Sequence, residues 1–264
     1  MTRIRDAFTA QDGSRRKAFI PFITCGDPTL SFTGGALLAM QEAGADLIEL
    51  GIPFSDPTAE GPVIQEANIR ALAGGVTADR AFGMVKEVRG RGLTVPLVFM
   101  TYANVVFGYG TERFAAKAAE AGVQGAILLD VPFEEKEEFS EPLAKEGLEL
   151  VSLIAPTSHD RIRTIAREAR GFVYCVSSLG VTGVRSKITT GIGAMVELVR
   201  EGTDVPVAVG FGISTPGQAA KMAGLSDGAI VGSAIVRLVA EHGEGAVPFV
   251  AEYVKSMADA VHSA

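Results

Sequence analysis

Eight short apolar runs, interleaved with helix-forming stretches, constrain this chain more than any other feature. They read Ala18–Thr24, Asp46–Gly51, Pro96–Thr101, Gly125–Val131, Glu149–Ile154, Gly171–Val176, Val205–Gly210 and Gly228–Val231. Runs that are apolar on both alternating faces suit strands covered on both sides, as in a parallel sheet. Between them lie helical patterns such as Leu30–Ala43, Thr111–Ala121, Glu134–Glu146, Asp160–Ala169, Ile192–Arg200 and Pro216–Gly224. Gly44, Gly122 and Gly147 stand where three of these should stop, since glycine supplies the left-handed residue that ends a helix. Further helices are expected at Thr77–Arg91 and near Ala246–Val261. Eight strands alternating with helices predict an α/β chain closed into a (β/α)8 TIM barrel, with an open doubly wound sheet as the competitor. The length of 264 residues is close to the ~250 of one such barrel, and no linker interrupts it, so residues 1–264 read as a single domain. Arg3–Ala10 adds a short amphipathic helix with Ile4, Ala7 and Phe8 on one side.

Charge and composition narrow the partners. A net charge of -7 opposes DNA and anionic membranes, so an anionic substrate needs a local electropositive pocket. No apolar run reaches the ~18 residues of a membrane span. The stretch from Met1 to Lys17 has no apolar core of a signal peptide. Cys25 and Cys175 are far apart and in no metal spacing. They read as small apolar side chains of a reducing cytoplasm, with one disulfide as the alternative.

Barrels of this kind place their active sites at the carboxyl ends of the strands. Glu49 stands inside the second run, in Leu47-Ile48-Glu49-Leu50-Gly51. By alternation Ile48 and Leu50 share one face and Glu49 points to the other. A carboxylate aimed into a barrel is costly unless it is paired or used. Glu49 is therefore either a satisfied buried acid or a general acid/base with a raised pKa. A shaped Pro/Gly loop follows, ending in Glu60-Gly61-Pro62, where Pro62 can open a helix. The helix dipole there favours an ionised Glu60, so one strand–loop unit delivers two carboxylates in contrasting environments.

Strand 7 runs into Gly210-Phe211-Gly212-Ile213-Ser214, and strand 8 into Gly232-Ser233-Ala234. Glycine backbones and a helix N-terminus after strands 7 and 8 are a common phosphate site, to which Ser233 adds a hydroxyl; tight turns are the plainer reading. The glycine-rich segment Ser177–Lys187 after strand 6 reads as a mobile lid or a plain surface loop. Tyr174 lies on strand 6 itself, where the plain reading is a core aromatic. His159, His242 and His262 all avoid the strand ends, and no predicted strand carries a lysine. No metal cage or Schiff-base lysine is visible in the sequence. What remains is carboxylate acid/base chemistry on a small phosphorylated molecule in an apolar pocket.

The segment Leu47-Ile48-Glu49-Leu50-Gly51-Ile52-Pro53-Phe54-Ser55-Asp56-Pro57 resembles the signature of the tryptophan synthase alpha chain family. So do Thr24 with Gly26-Asp27-Pro28, Asp130-Val131-Pro132, Gly180-Val181-Thr182-Gly183, the Gly210–Ser214 segment and Gly232-Ser233-Ala234-Ile235-Val236. The resemblance runs from about residue 19 to 236 in the family's order. It implies cleavage of indole-3-glycerol phosphate to indole and glyceraldehyde 3-phosphate in L-tryptophan biosynthesis, in a retro-aldol sense. It implies that Glu49 shuttles protons at indole C3 and the glycerol hydroxyl, and that Glu60 holds the indole N–H. Tyr174 would line the site. Phe22, with Met100 and Leu129, would pack the indole, while Gly183, Phe211, Gly212, Gly232 and Ser233 would surround the phosphate. Thr182 would close over the site onto the residue-60 carboxylate. No cofactor is implied in this chain; pyridoxal phosphate is expected in a partner beta subunit, within an alpha2beta2 tetramer. Loop 53–60 and the lid at 178–187 would couple closure to that partner.

One departure stands out. The family commonly has Asp where this chain has Glu60, one methylene longer. A misplacement of ~1 Å in a catalytic group costs on the order of 100-fold. Either the neighbours have adjusted, or intrinsic activity is low and a partner restores it. The alternatives to an active lyase are thus a catalytically weak barrel that activates a beta subunit, and a related phosphate-binding isomerase or synthase.

Overall fold

The computed structural model describes residues 3–10, 12–176, 189–210 and 212–264. Eight parallel strands close into a barrel in chain order: β1 Ala18–Thr24, β2 Ile48–Gly51, β3 Leu97–Thr101, β4 Gly125–Leu128, β5 Glu149–Ile154, β6 Arg170–Val176, β7 Val207–Gly210 and β8 Gly228–Val231. β1 pairs with β8 through Ala18↔Gly228 to Pro21↔Val231, which completes the closure and removes the open-sheet alternative. The helices are α1 Leu30–Glu42, α2 Pro62–Ala73, α3 Ala78–Gly90, α4 Ala103–Tyr109, α5 Thr111–Ala121 and α6 Glu137–Lys145. They continue with α7 His159–Arg167, α8 Thr189–Arg200, α9 Pro216–Leu225, α10 Ser233–His242 and α11 Val247–His262.

Local chemistry explains the helix ends. The Thr29, Thr77, Ser158 and Thr215 side chains each accept a first-turn N–H of α1, α3, α7 and α9. Gly44, Gly122 and Gly147 all have positive φ, as expected of helix-stopping glycines. β4 stops at Leu128, short of the expected Val131: the chain turns at Leu129–Asp130, and the Asp130 carboxylate accepts the Ala103 N–H at 2.8 Å. The expected helix over 134–146 is a 3-10 turn, Phe133–Glu135, followed by α6.

Strand alternation sorts the core in two. Outward side chains such as Phe19, Ile48, Phe99, Val173 and Val209 pack under the helices. Inward ones, including Ile20, Phe22, Leu47, Val98, Ile127, Phe172, Ala208 and Ile230, fill the barrel. The N-terminal 3-10 helix Ile4–Phe8 plugs the barrel's amino end, with Ile4, Ala7 and Phe8 joining the inner cluster. The Phe8 and Phe172 ring centroids lie 5.8 Å apart. Cys25 and Cys175 are buried and free, so the disulfide alternative falls; burial pushes both thiols up to about 12.

A repeated device finishes the amino end. Asp46, just before β2, accepts the Phe19 N–H of β1; Gln124, before β4, accepts Leu97 N–H of β3; Asp227, before β8, accepts Val207 N–H of β7. Each buried acceptor also meets a cationic or imidazole side chain: Arg16 and His262 at Asp46, Arg89 at Gln124, Arg200 at Asp227. Neighbouring strands are thereby stitched by side chains where backbone pairing begins.

Candidate active site

The carboxyl end of the barrel is built differently. Glu49 sits in β2, opposite Phe22 on β1 and Val98 on β3, and has no exposed surface. Neither carboxylate oxygen has a hydrogen-bond partner. Burial raises its pKa well above the ordinary carboxylate value, because the apolar surroundings disfavour the charged form. Among the described residues, the only other buried side-chain oxygen without a partner is Thr24 Oγ1, on the last residue of β1. The satisfied-acid reading of Glu49 is therefore not what the geometry shows.

Two inward aromatics frame Glu49, and each needs a glycine on the neighbouring strand. A Cβ at Gly51 would come within 2.7 Å of the Phe22 ring, and a Cβ at Gly210 within 2.7 Å of the Tyr174 ring. The Phe22 ring also lies against Gly232, so it reaches from the end of β2 to the end of β8. Tyr174 is buried beside Glu49, and burial raises its pKa well above the ordinary phenol value. Met100 belongs to the same inner cluster and Leu129 packs against it. Phe22, Glu49 and Tyr174, read separately from sequence, thus share one chamber.

Glu60 is half-buried on the loop between β2 and α2. Its Oε2 accepts an Asn68 Nδ2 hydrogen bond at 2.8 Å, and the Tyr102 hydroxyl also favours its ionised form. Burial outweighs both and raises its pKa. Desolvation thus works against the ionisation that the dipole of α2 would favour. Both carboxylates shift upward, with Glu49 the more extreme.

Sequence reasoning missed Asn68 and Tyr102. Tyr102 precedes the unanticipated helix α4 and holds loop 53–60 from two directions. Its hydroxyl accepts the Ala59 N–H at 3.1 Å, and its ring lies 5.2 Å from that of Phe54. Asp27, in the Gly26-Asp27-Pro28 motif, is buried and accepts Arg70 Nε–H and Nη2–H at 2.8 and 2.9 Å, which ties the β1 loop to α2. The only available signal was position, since each residue lies within a few places of a strand end or on the first turns of α2.

Across the barrel mouth, Gly212 has φ +75° with open space where a Cβ would stand. Gly232 caps α10, and Ser233 is its first residue. The N–H groups of Ile235 and Val236 return to the Gly232 carbonyl, which leaves those of Ser233 and Ala234 at the helix end available to an anion. Phe211, Thr182, Gly183 and the lid over 178–187 lie outside the described residues. Among the described residues no cluster of His, Cys, Asp or Glu has the arrangement of a metal site.

A closed barrel with an unpartnered acid in an aromatic-lined chamber, and with glycine-rich turns after the seventh and eighth strands, defines a barrel enzyme of the acid/base class. The model of the tryptophan synthase alpha chain family matches residues 8–262, and the chain belongs to that family. The tryptophan synthase alpha chain of Shouchella clausii (strain KSM-K16) is 46% identical over 264 residues, covering 97% of this chain and 96% of its own. The crystal structure of tryptophan synthase subunit alpha from Legionella pneumophila str. Paris superposes with a TM-score of 0.90 at 36% identity, covering 100% of both chains. A chain from the tryptophan synthase a2b2 complex of Pyrococcus furiosus gives 0.83 at 37% identity, over 92% of this chain and 98% of that one.

Proposed function

We propose that this chain is a carbon–carbon lyase that cleaves indole-3-glycerol phosphate to indole and glyceraldehyde 3-phosphate. The observation that carries the reading is Glu49, a buried acid with both oxygens unpartnered inside an otherwise apolar barrel. Protonated Glu49 donates to indole C3, which turns the ring into an iminium-like electron sink. The resulting carboxylate takes the glycerol hydroxyl proton adjacent to the scissile bond. The carbonyl of glyceraldehyde 3-phosphate then forms, and the C–C bonding pair returns to the ring as indole departs. Two proton transfers at one residue balance the step, so no cofactor within this chain is required.

The other roles follow from place. Glu60 accepts the indole N–H and stabilises positive charge developing on the ring. Phe22 and Tyr174 confine the indole plane beside Glu49. Gly183, Phe211, Gly212, Gly232 and Ser233 receive the phosphate, and Thr182 closes onto Glu60. The Pyrococcus furiosus relative comes from an a2b2 complex. We infer the same partner class here: a beta subunit that carries pyridoxal phosphate and consumes the indole. Two buried free thiols fit a reducing cytoplasm, and among the described residues no helix is long and apolar enough to cross a membrane.

The test is steady-state cleavage by the purified chain, alone and with a beta subunit. Turnover that is abolished by Glu49→Gln supports the lyase. No turnover under either condition, together with stimulation of the beta reaction, would leave an activating barrel instead.

A further inference from the structure

We propose that Asn68 is a positioning residue for the reaction, and that it is what lets a glutamate serve at position 60. This rests on the role assigned to Glu60 above. Asn68 is only 3% exposed and lies two turns along α2, eight residues after the carboxylate it binds. On the same helix, Ala67 belongs to the barrel's inner cluster, and Val63 and Ile64 pack against it. The face of α2 that carries Asn68 therefore roofs the chamber that holds Glu49. Its Nδ2–H meets Oε2 of Glu60 at 2.8 Å. Reaching that amide from the loop takes up the length of a glutamate side chain; an aspartate stops one methylene short. The longer residue is drawn back toward the helix rather than pushed forward into the chamber.

A second polar group stands nearby: the Tyr102 hydroxyl, which accepts the Ala59 N–H at 3.1 Å and favours the ionised form of Glu60. Both groups are neutral. Among the described residues, the titratable groups facing Glu60 are Tyr102 and, acting on Tyr102 from the β4 end, Asp130. The face of α2 nearest the carboxylate offers only Asn68 and Gln65, and Gln65 binds the Glu60 backbone carbonyl. Among the described residues no cation pairs with Glu60, and Asn68 and Tyr102 are the neutral groups that partly offset its burial.

The experiment is a double-mutant cycle in the alpha–beta complex: wild type, Asn68→Ala, Glu60→Asp and the pair, with Tyr102→Phe as a variant that keeps the ring. Each is read by kcat and KM against pH and by 13C titration of the residue-60 carboxyl. In the wild-type background Asn68→Ala should lower kcat about tenfold or more, the worth of a charge-assisted hydrogen bond, with KM within about threefold. Losing a donor to the ionised form should move the carboxyl titration and the acid limb of kcat to higher pH. Tyr102→Phe should move both the same way. In the Glu60→Asp background the effect of Asn68→Ala should shrink to less than about threefold. An equal loss in both backgrounds, or an unmoved carboxyl titration in a folded Asn68→Ala protein, would overturn the proposal and leave Asn68 as packing. If wild type failed to cleave the indole substrate, the lyase reading would fall, while the carboxyl titration would still decide whether Asn68 holds Glu60.

Discussion

The two ends of this barrel handle buried polarity in opposite ways. At the amino end, Asp46, Gln124 and Asp227 each receive a strand N–H and a basic or imidazole partner. At the carboxyl end, Thr24 and Glu49 are equally buried and receive nothing. The sheet is the same; what differs is whether an acceptor is satisfied by the fold or held open for something else. Satisfied acceptors stabilise, and an open one costs free energy that only a ligand or a reaction can recover.

That contrast can be broken at either end. The largest effect is expected from Glu49→Gln, which should cut cleavage by about 10³-fold or more in steady-state assays, since it removes the proton carrier. The same variant should alter the dependence of stability on pH. Glu49 has a raised folded pKa, so its protonated form favours the native state at low pH. That contribution is lost as pH rises from the ordinary carboxylate value of 4.5 towards the folded pKa. Thermal melts should show wild type weakening over that range while Glu49→Gln stays flatter. If the two curves run parallel, Glu49 is not the open acid described here.

Asp46→Asn tests the other end. It should cost about 2–3 kcal/mol of stability in denaturant melts, because it strips charge from a buried acceptor shared by three donors. Turnover at temperatures below the melt should be unchanged, since nothing at Asp46 approaches the chamber. Next in size is Gly210→Ala. Its methyl group would displace the Tyr174 ring, costing about 1–3 kcal/mol and lowering cleavage by up to about 100-fold. Smallest is Tyr174→Phe, which keeps the ring on Gly210. A loss of less than about fivefold would place its role in shape rather than in proton transfer.

The barrel and Glu49 were legible because each depends on local pattern. A strand apolar on both faces announces itself, and a lone carboxylate within one has few structural excuses. The glycine-rich turns at Gly212 and Gly232 were legible from their place after strands 7 and 8. Asn68 and Tyr102 were not, because a helical asparagine and a tyrosine beside a strand are ordinary until the fold brings them to one carboxylate. The direction of the Glu60 shift was missed for the same reason, since burial by α2 and Tyr102 is a property of the packing. Asp46 was assigned to a strand by composition, yet β2 begins at Ile48 and leaves the Asp46 side chain to reach Phe19.

That carboxylate has a consequence in time. Asp46 Oδ2 lies 2.7 Å from His262 Nε2, 216 residues further along the chain. During synthesis the first two strands emerge long before the helix that bears His262. Until α11 docks, the Asp46 carboxylate must keep its water or rely on Arg16 and the Phe19 N–H alone. A contact of such separation forms late, after the loop entropy of nearly the whole chain has been spent. The amino end of the barrel is therefore a record of completion, set only when the C-terminal helix has arrived.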